Sequence, residues 1–206
     1  MLAGPHQVAN QLWLSKDGGM TFTDIGKKLP VAPNFSTLPL VIDSMTFLVG
    51  SCGPAMGACG VLRSDNAGES WTRTATQVPV GRPLWANDGR FYWGLADGGM
   101  IVSNDRGVTW RTAGEGPAPL SYGSSPVELP DGRVVTLGAD SLLASSDKGK
   151  TWKKLGQALP YAAEKCGING LTYSVGAKAF FINHNDCSGN LPSDAVFSMA
   201  YDYRKP

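Results

Sequence analysis

At 206 residues, 42% hydrophobic and 17% charged, the chain is long enough to bury a real core. A net charge of +1, with lysines and arginines scattered along the sequence, shows no electrostatic footprint for nucleic acid or an anionic membrane. No apolar run approaches the roughly 18 residues of a membrane span, and 26 glycines with 14 prolines suit many short strands and turns.

In chain order, an apolar run at 11–14 leads into the octet Ser15-Lys16-Asp17-Gly18-Gly19-Met20-Thr21-Phe22. A hairpin follows, 38–42 turning at Asp43-Ser44 into 45–50. The run 60–63 then leads to a second octet, Ser64-Asp65-Asn66-Ala67-Gly68-Glu69-Ser70-Trp71. Next, 83–87 turns at Asp88-Gly89 into 90–95, and the run 99–102 leads to Ser103-Asn104-Asp105-Arg106-Gly107-Val108-Thr109-Trp110. The same order recurs as 126–129, Asp131-Gly132, 133–138, the run 141–144, and Ser145-Ser146-Asp147-Lys148-Gly149-Lys150-Thr151-Trp152. A last hairpin, 171–175 with 178–183, precedes the apolar run 195–201. Asp-Gly between alternating apolar runs is a strong short-range hairpin signal. No stretch keeps a helical period between breakers.

The third octet positions, Asp17, Asn66, Asp105 and Asp147, lie 49, 39 and 42 residues apart. Four octets in register at that interval indicate a repeat architecture. Each reads as a tight turn between antiparallel strands. Its Asp or Asn accepts backbone N–H groups. Its glycine (Gly19, Gly68, Gly107 or Gly149) supplies the backbone angle, and its aromatic (Phe22, Trp71, Trp110 or Trp152) is an apolar plug. The hydroxyls at Ser15, Thr21, Ser64, Ser70, Ser103, Thr109, Ser145 and Thr151 can hold the flanks of the turn.

These octets resemble the Asp box, or BNR repeat, of sialidase-like β-propellers, a likeness that covers nearly the whole chain through its period. It implies an all-β fold of four-stranded antiparallel blades, with structural boxes lying away from the ligand face. Blades then fall at about 27–71, 72–110 and 111–152, with a half blade at 1–26 and a partial one at 153–206. The tally of about 17 strands fits an incomplete ring of about four to five blades, the C-terminal part of a larger propeller. A closed four-blade ring with a spare strand and a degenerate five-blade ring remain open.

The resemblance places ligands on the side opposite the octets. The strand-to-strand loops there are 50–59, 96–99, 138–141 and 184–194, and the blade-to-blade loops are about 26–37, 74–82, 113–125 and 155–170. Four cysteines fall on this side as two near pairs, Cys52 with Cys59 and Cys166 with Cys187. Disulfides there imply a secreted or periplasmic protein, although 1–10 lack the features of a signal peptide.

Glycoside hydrolysis needs two facing carboxyls. Asp97 and Asp140 hold equivalent positions in successive repeats, and Asp186, Asp194, Glu115 and Glu164 share their side. Turn capping is the plainer role for Asp97 and Asp140. His184, in Asn183-His184-Asn185-Asp186, is a possible acid/base or sugar-binding group, or part of a hydrated loop. Tyr122 and Tyr161, and with them Trp85, are candidates to stack on sugar rings; inward packing is an equal alternative for Trp85. The Arg-Ile-Pro motif and arginine triad of a true sialidase are missing, so sialidase activity is not expected of this chain alone. No metal or cofactor motif is present. The expectation is a glycan-recognising propeller with no complete catalytic set. Its alternative is a non-enzymatic protein-interaction or assembly scaffold, as in sortilin-type receptors and photosystem assembly factors.

Overall fold

The computed structural model describes residues 1–4, 11–30, 35–36, 39–52, 59–114, 125–159, 166–187 and 196–205, with backbone alone at 35–36, 51–52, 166–169 and 184–187. These residues form five antiparallel sheets in chain order. The first holds β1 (Leu2–Ala3), β2 (Trp13–Leu14) and β3 (Thr23–Asp24). The second holds β4 (Phe35–Ser36), β5 (Leu40–Val41), β6 (Phe47–Cys52), β7 (Gly60–Ser64) and β8 (Thr72–Ala75). The third is β9 (Leu84–Trp85), β10 (Phe91–Gly94), β11 (Met100–Ser103) and β12 (Arg111–Thr112). The fourth is β13 (Val127–Glu128), β14 (Val134–Leu137), β15 (Ser141–Ser145) and β16 (Lys153–Ala158), and the fifth is β17 (Cys166–Ser174), β18 (Ala179–Cys187) and β19 (Val196–Ala200). The one helical element described is a 3-10 turn at Gly26–Lys28.

Every octet joins the last two strands of its sheet, and the four turns repeat almost atom for atom. Ser15 Oγ donates to Asp17 Oδ1 at 2.8 Å and accepts the Gly19 N–H at 2.7 Å; Thr21 N–H reaches Asp17 Oδ1 at 2.9 Å. The same set recurs on Ser103, Asp105, Gly107 and Thr109 at 2.8, 2.8 and 2.9 Å. It recurs again on Ser145, Asp147, Gly149 and Thr151 at 2.9, 2.8 and 2.9 Å. In the second octet Asn66 substitutes without loss, because its amide N donates to Ser70 Oγ at 2.8 Å while its oxygen accepts Ser70 N–H at 2.9 Å.

The core is a series of layers between consecutive sheets. Strand alternation assigns each side chain to one of them. On β6, Phe47 and Val49 enter the layer shared with the first sheet, while Leu48 enters the layer shared with the third. On β10, Phe91 and Trp93 face back and Tyr92 faces forward to Val134 of the fourth sheet. Leu142, Leu155 and Val135 meet Phe180, Ile182 and Met199 of the fifth. None of these four layers joins the first sheet to the last. The octet tryptophans close the gaps: Trp152 packs on the layer between the third and fourth sheets, and its indole N–H donates to Ala113 O at 2.9 Å.

Three features differ from the sequence-based expectation. The N-terminal sheet gains β1, because Leu2 pairs with Leu14 and packs on the first core layer. Phe35–Ser36 adds a short strand beside β6. The last hairpin is longer than 171–183: β17 starts at Cys166 and β18 runs to Cys187, with register shifts between Cys166 and Gly170. His184 and Asp186 therefore lie on strand backbone, not in a loop.

Candidate functional site

Tyr122, Tyr161, Glu164, Glu115 and Asp194, all expected on the side opposite the octets, fall outside the described residues. The side chains of His184 and Asp186 do too, although the backbone sets His184 opposite Ile168. Asp97, Asp140 and Trp85 can be placed in full.

Asp97 occupies the exposed turn between β10 and β11. That turn is tied down by Ala96 N–H to Val78 O at 3.1 Å and Gly98 N–H to Leu95 O at 3.3 Å. Among the described side chains, Asp97 is the one carboxylate with no hydrogen-bond partner. Asp140, in the equivalent turn of the next sheet, accepts from Lys154 Nζ at 2.9 Å and from Ser141 Oγ at 3.1 Å. The Lys154 ammonium, with help from Ser141, holds its carboxyl below the usual carboxylate range. A general acid for glycoside cleavage needs the opposite, a raised pKa.

The other described carboxylates are committed as well. Asp43 accepts the N–H of Met45, then that of Thr46 and the Thr46 hydroxyl, and pairs with Arg106; these bring it to about 2 against a desolvation penalty. Asp17 and Asp147 are lowered chiefly by the hydroxyls of Thr21 and Thr151. Asp105 is raised by burial, but Thr109 and Ser103 outweigh that and lower it overall. Asp131 pairs with Arg133 at 2.6 Å and Asp202 with Arg204 at 2.9 Å.

Trp85 is 48% exposed on β9, with its ring edge-on to Phe91 at a centroid distance of 5.4 Å and an angle of 80°. Cys59 is buried, 6% exposed, and disulfide-bonded. The backbones of Cys166 and Cys187 are direct register partners. Among the described residues no three His, Cys, Asp or Glu side chains gather to hold a metal.

Sequence reasoning missed two adjoining clefts at the octet end, between the first two sheets. One, of about 420 Å³, is walled by Leu14, Lys16, Val41, Asp43 and Met45. The other, of about 320 Å³, lies between Lys16, Thr21, Ile25, Lys28 and Glu69. The available signal was Met45, an apolar residue just after the Asp43-Ser44 turn, which is half exposed and lines the first cleft.

No protein-family model and no curated protein sequence matches the chain. Solved structures do. A GH74 enzyme of Niastella koreensis is 14% identical with a TM-score of 0.65, over 95% of this chain and 33% of that one. YCF48 bound to a D1 peptide is 15% identical at a TM-score of 0.54, over 84% and 54%. PorZ, a surface component of the type-IX secretion system of Porphyromonas gingivalis, is 16% identical at 0.57, over 95% and 29%. The chain thus spans from under a third to about half the length of these proteins. At such identities the likeness is one of fold: five antiparallel sheets stacked in chain order place this chain among the β-propellers.

Proposed function

We propose that the chain is a secreted Asp-box propeller that recognises glycans on the face opposite its octets without cleaving them. One observation carries the non-catalytic part. Of the two equivalent carboxylates expected to face each other, Asp97 is free while Asp140 is ion-paired to Lys154. A two-carboxyl mechanism needs both. The Asp-box assignment is supported by the octet hydrogen bonds, and the extracytoplasmic setting by the disulfide state of Cys59. Carbohydrate as ligand on that face is supported by the fold shared with a GH74 enzyme; the exposed Trp85, level with Phe91 and Ser103, lies at the octet end and adds nothing there. The pairings Cys52–Cys59 and Cys166–Cys187 would stiffen the loops of that face.

The test pairs a glycan array with hydrolysis assays on chromogenic glycosides, run on the wild type and Asp97→Asn. Saturable binding without turnover is expected. Turnover that disappears in Asp97→Asn would show an enzyme. A second reading, a protein-interaction scaffold, is favoured by the solved complex of YCF48 with a D1 peptide. Peptide capture with no glycan bound would select it.

A further inference from the structure

The four octets share one backbone but not one surface charge. Their second, fourth and sixth residues are exposed, Ala67 excepted, which packs on the first core layer: Lys16, Gly18, Met20; Asp65, Glu69; Asn104, Arg106, Val108; Ser146, Lys148, Lys150. In the second and third octets the charges are matched within the molecule. Glu69 takes Lys28 at 2.6 Å, Asp65 takes Arg63 at 3.2 Å, and Arg106 pairs with Asp43. Lys148 and Lys150 have no ion-pair partner among the described residues.

Tertiary packing adds to them. Arg111, on β12 of the preceding sheet, lays its guanidinium against this turn, Nη2 donating to Lys148 O at 2.6 Å. Lys153 opens β16 beside it and is exposed. Lys154 is balanced by Asp140, and the oxygens of Asp147 are taken up by Ser145, Lys150 N–H and Thr151. The Cα atoms of Lys148 and Lys150 lie within about 7 Å, inside the ~8 Å screening length of physiological salt, so their charges act together. Lys148 also holds a left-handed backbone at φ +67°, where the first octet has Gly18. Arg106 in the same position has an ion-pair partner; the Lys148 side chain has none among the described residues.

We propose that Arg111, Lys148, Lys150 and Lys153 form a docking strip for an anionic polysaccharide bearing repeated sulfate or carboxylate groups. Its polar neighbours, Ser146 and Thr151, offer an acyl chain nothing, and Trp152 is half-buried with its indole N–H held by Ala113, so no ring is free to stack a base. The strip sits at the octet end and does not depend on the loop-face reading.

Chromatography on immobilised heparin tests it, with anionic vesicles and single-stranded DNA as competitors. The wild type should be retained at about 0.15 M NaCl, where screening over ~8 Å still leaves adjacent charges coupled. Lys148→Gln/Lys150→Gln/Lys153→Gln should bind at least about tenfold more weakly, as multiple lost cationic contacts require. A charge-matched control, Lys16→Gln/Lys27→Gln/Lys205→Gln, should elute with the wild type. Lys148→Gly separates binding from folding: it relaxes the turn, so Tm should rise while retention falls. Equal elution of strip and control variants, no retention of the wild type, or tighter binding to DNA or vesicles would each overturn the proposal.

Discussion

Gly107→Ala isolates the second duty of the octet glycine, the close approach of one sheet to the next. Gly107 sits at φ +80°, and a Cβ built there stands 2.6 Å from Leu48 Cδ2 and 2.9 Å from Cδ1. Leu48 is fully buried in the layer between the second and third sheets, so it has little room to retreat. The left-handed backbone alone costs about 1–2 kcal/mol with a side chain, and overpacking a filled core adds about 1–3 kcal/mol. Gly18→Ala is the control: φ is +74°, but nothing lies within 4 Å of its Cβ, so only the first cost applies. A loss near 3 kcal/mol corresponds to a Tm lower by roughly 6–12 °C in a domain of this size. Thermal and urea unfolding of both variants measure the difference. If Gly107→Ala is no less stable than Gly18→Ala, the stacking of the octet turn on the preceding sheet is wrong.

Ser103→Ala should destabilise by about 1–3 kcal/mol, because the Gly107 N–H that Ser103 Oγ accepts at 2.8 Å is left buried and unpaired. Hydrogen exchange at the Gly107 amide should quicken well beyond that at the strand amides. Stability should fall in acid. Asp43 has a folded pKa of about 2 against an ordinary 3.8, so its contribution is full above about pH 4 and is lost as pH falls toward 2. Asp17 and Asp147 are lowered as well and act in the same direction. A Tm that stays constant from pH 6 to 2 would contradict this, and Asp43→Asn should flatten the acid limb. Peptide mapping without reductant should yield Cys52–Cys59 and Cys166–Cys187, and any other linkage refutes the assignment. Reduction of an eight-residue loop of the first kind should cost about 2 kcal/mol.

The sequence by itself determined the turns and the strands flanking them. All hydrogen bonds that define an octet close within eight residues, as Ser145, Asp147, Gly149 and Thr151 illustrate, so their spacing is visible in one dimension. The Asp-Gly hairpins at 88–89 and 131–132 were legible for the same reason. Contacts between sheets were not. The pairing of Leu2 with Leu14, the lengthened Cys166–Cys187 hairpin and the seating of Leu48 under Gly107 depend on which surfaces meet after folding. The candidate site divides along the same line. Asp97 and Asp140 look equivalent as residues, yet only the approach of β16 gives Asp140 a lysine. Likewise, cations that are scattered along the chain gather where Arg111 crosses 37 positions to the Lys148 carbonyl. Short-range hydrogen bonds are written into neighbouring residues, whereas burial and long-range charge are set by the stacking of sheets.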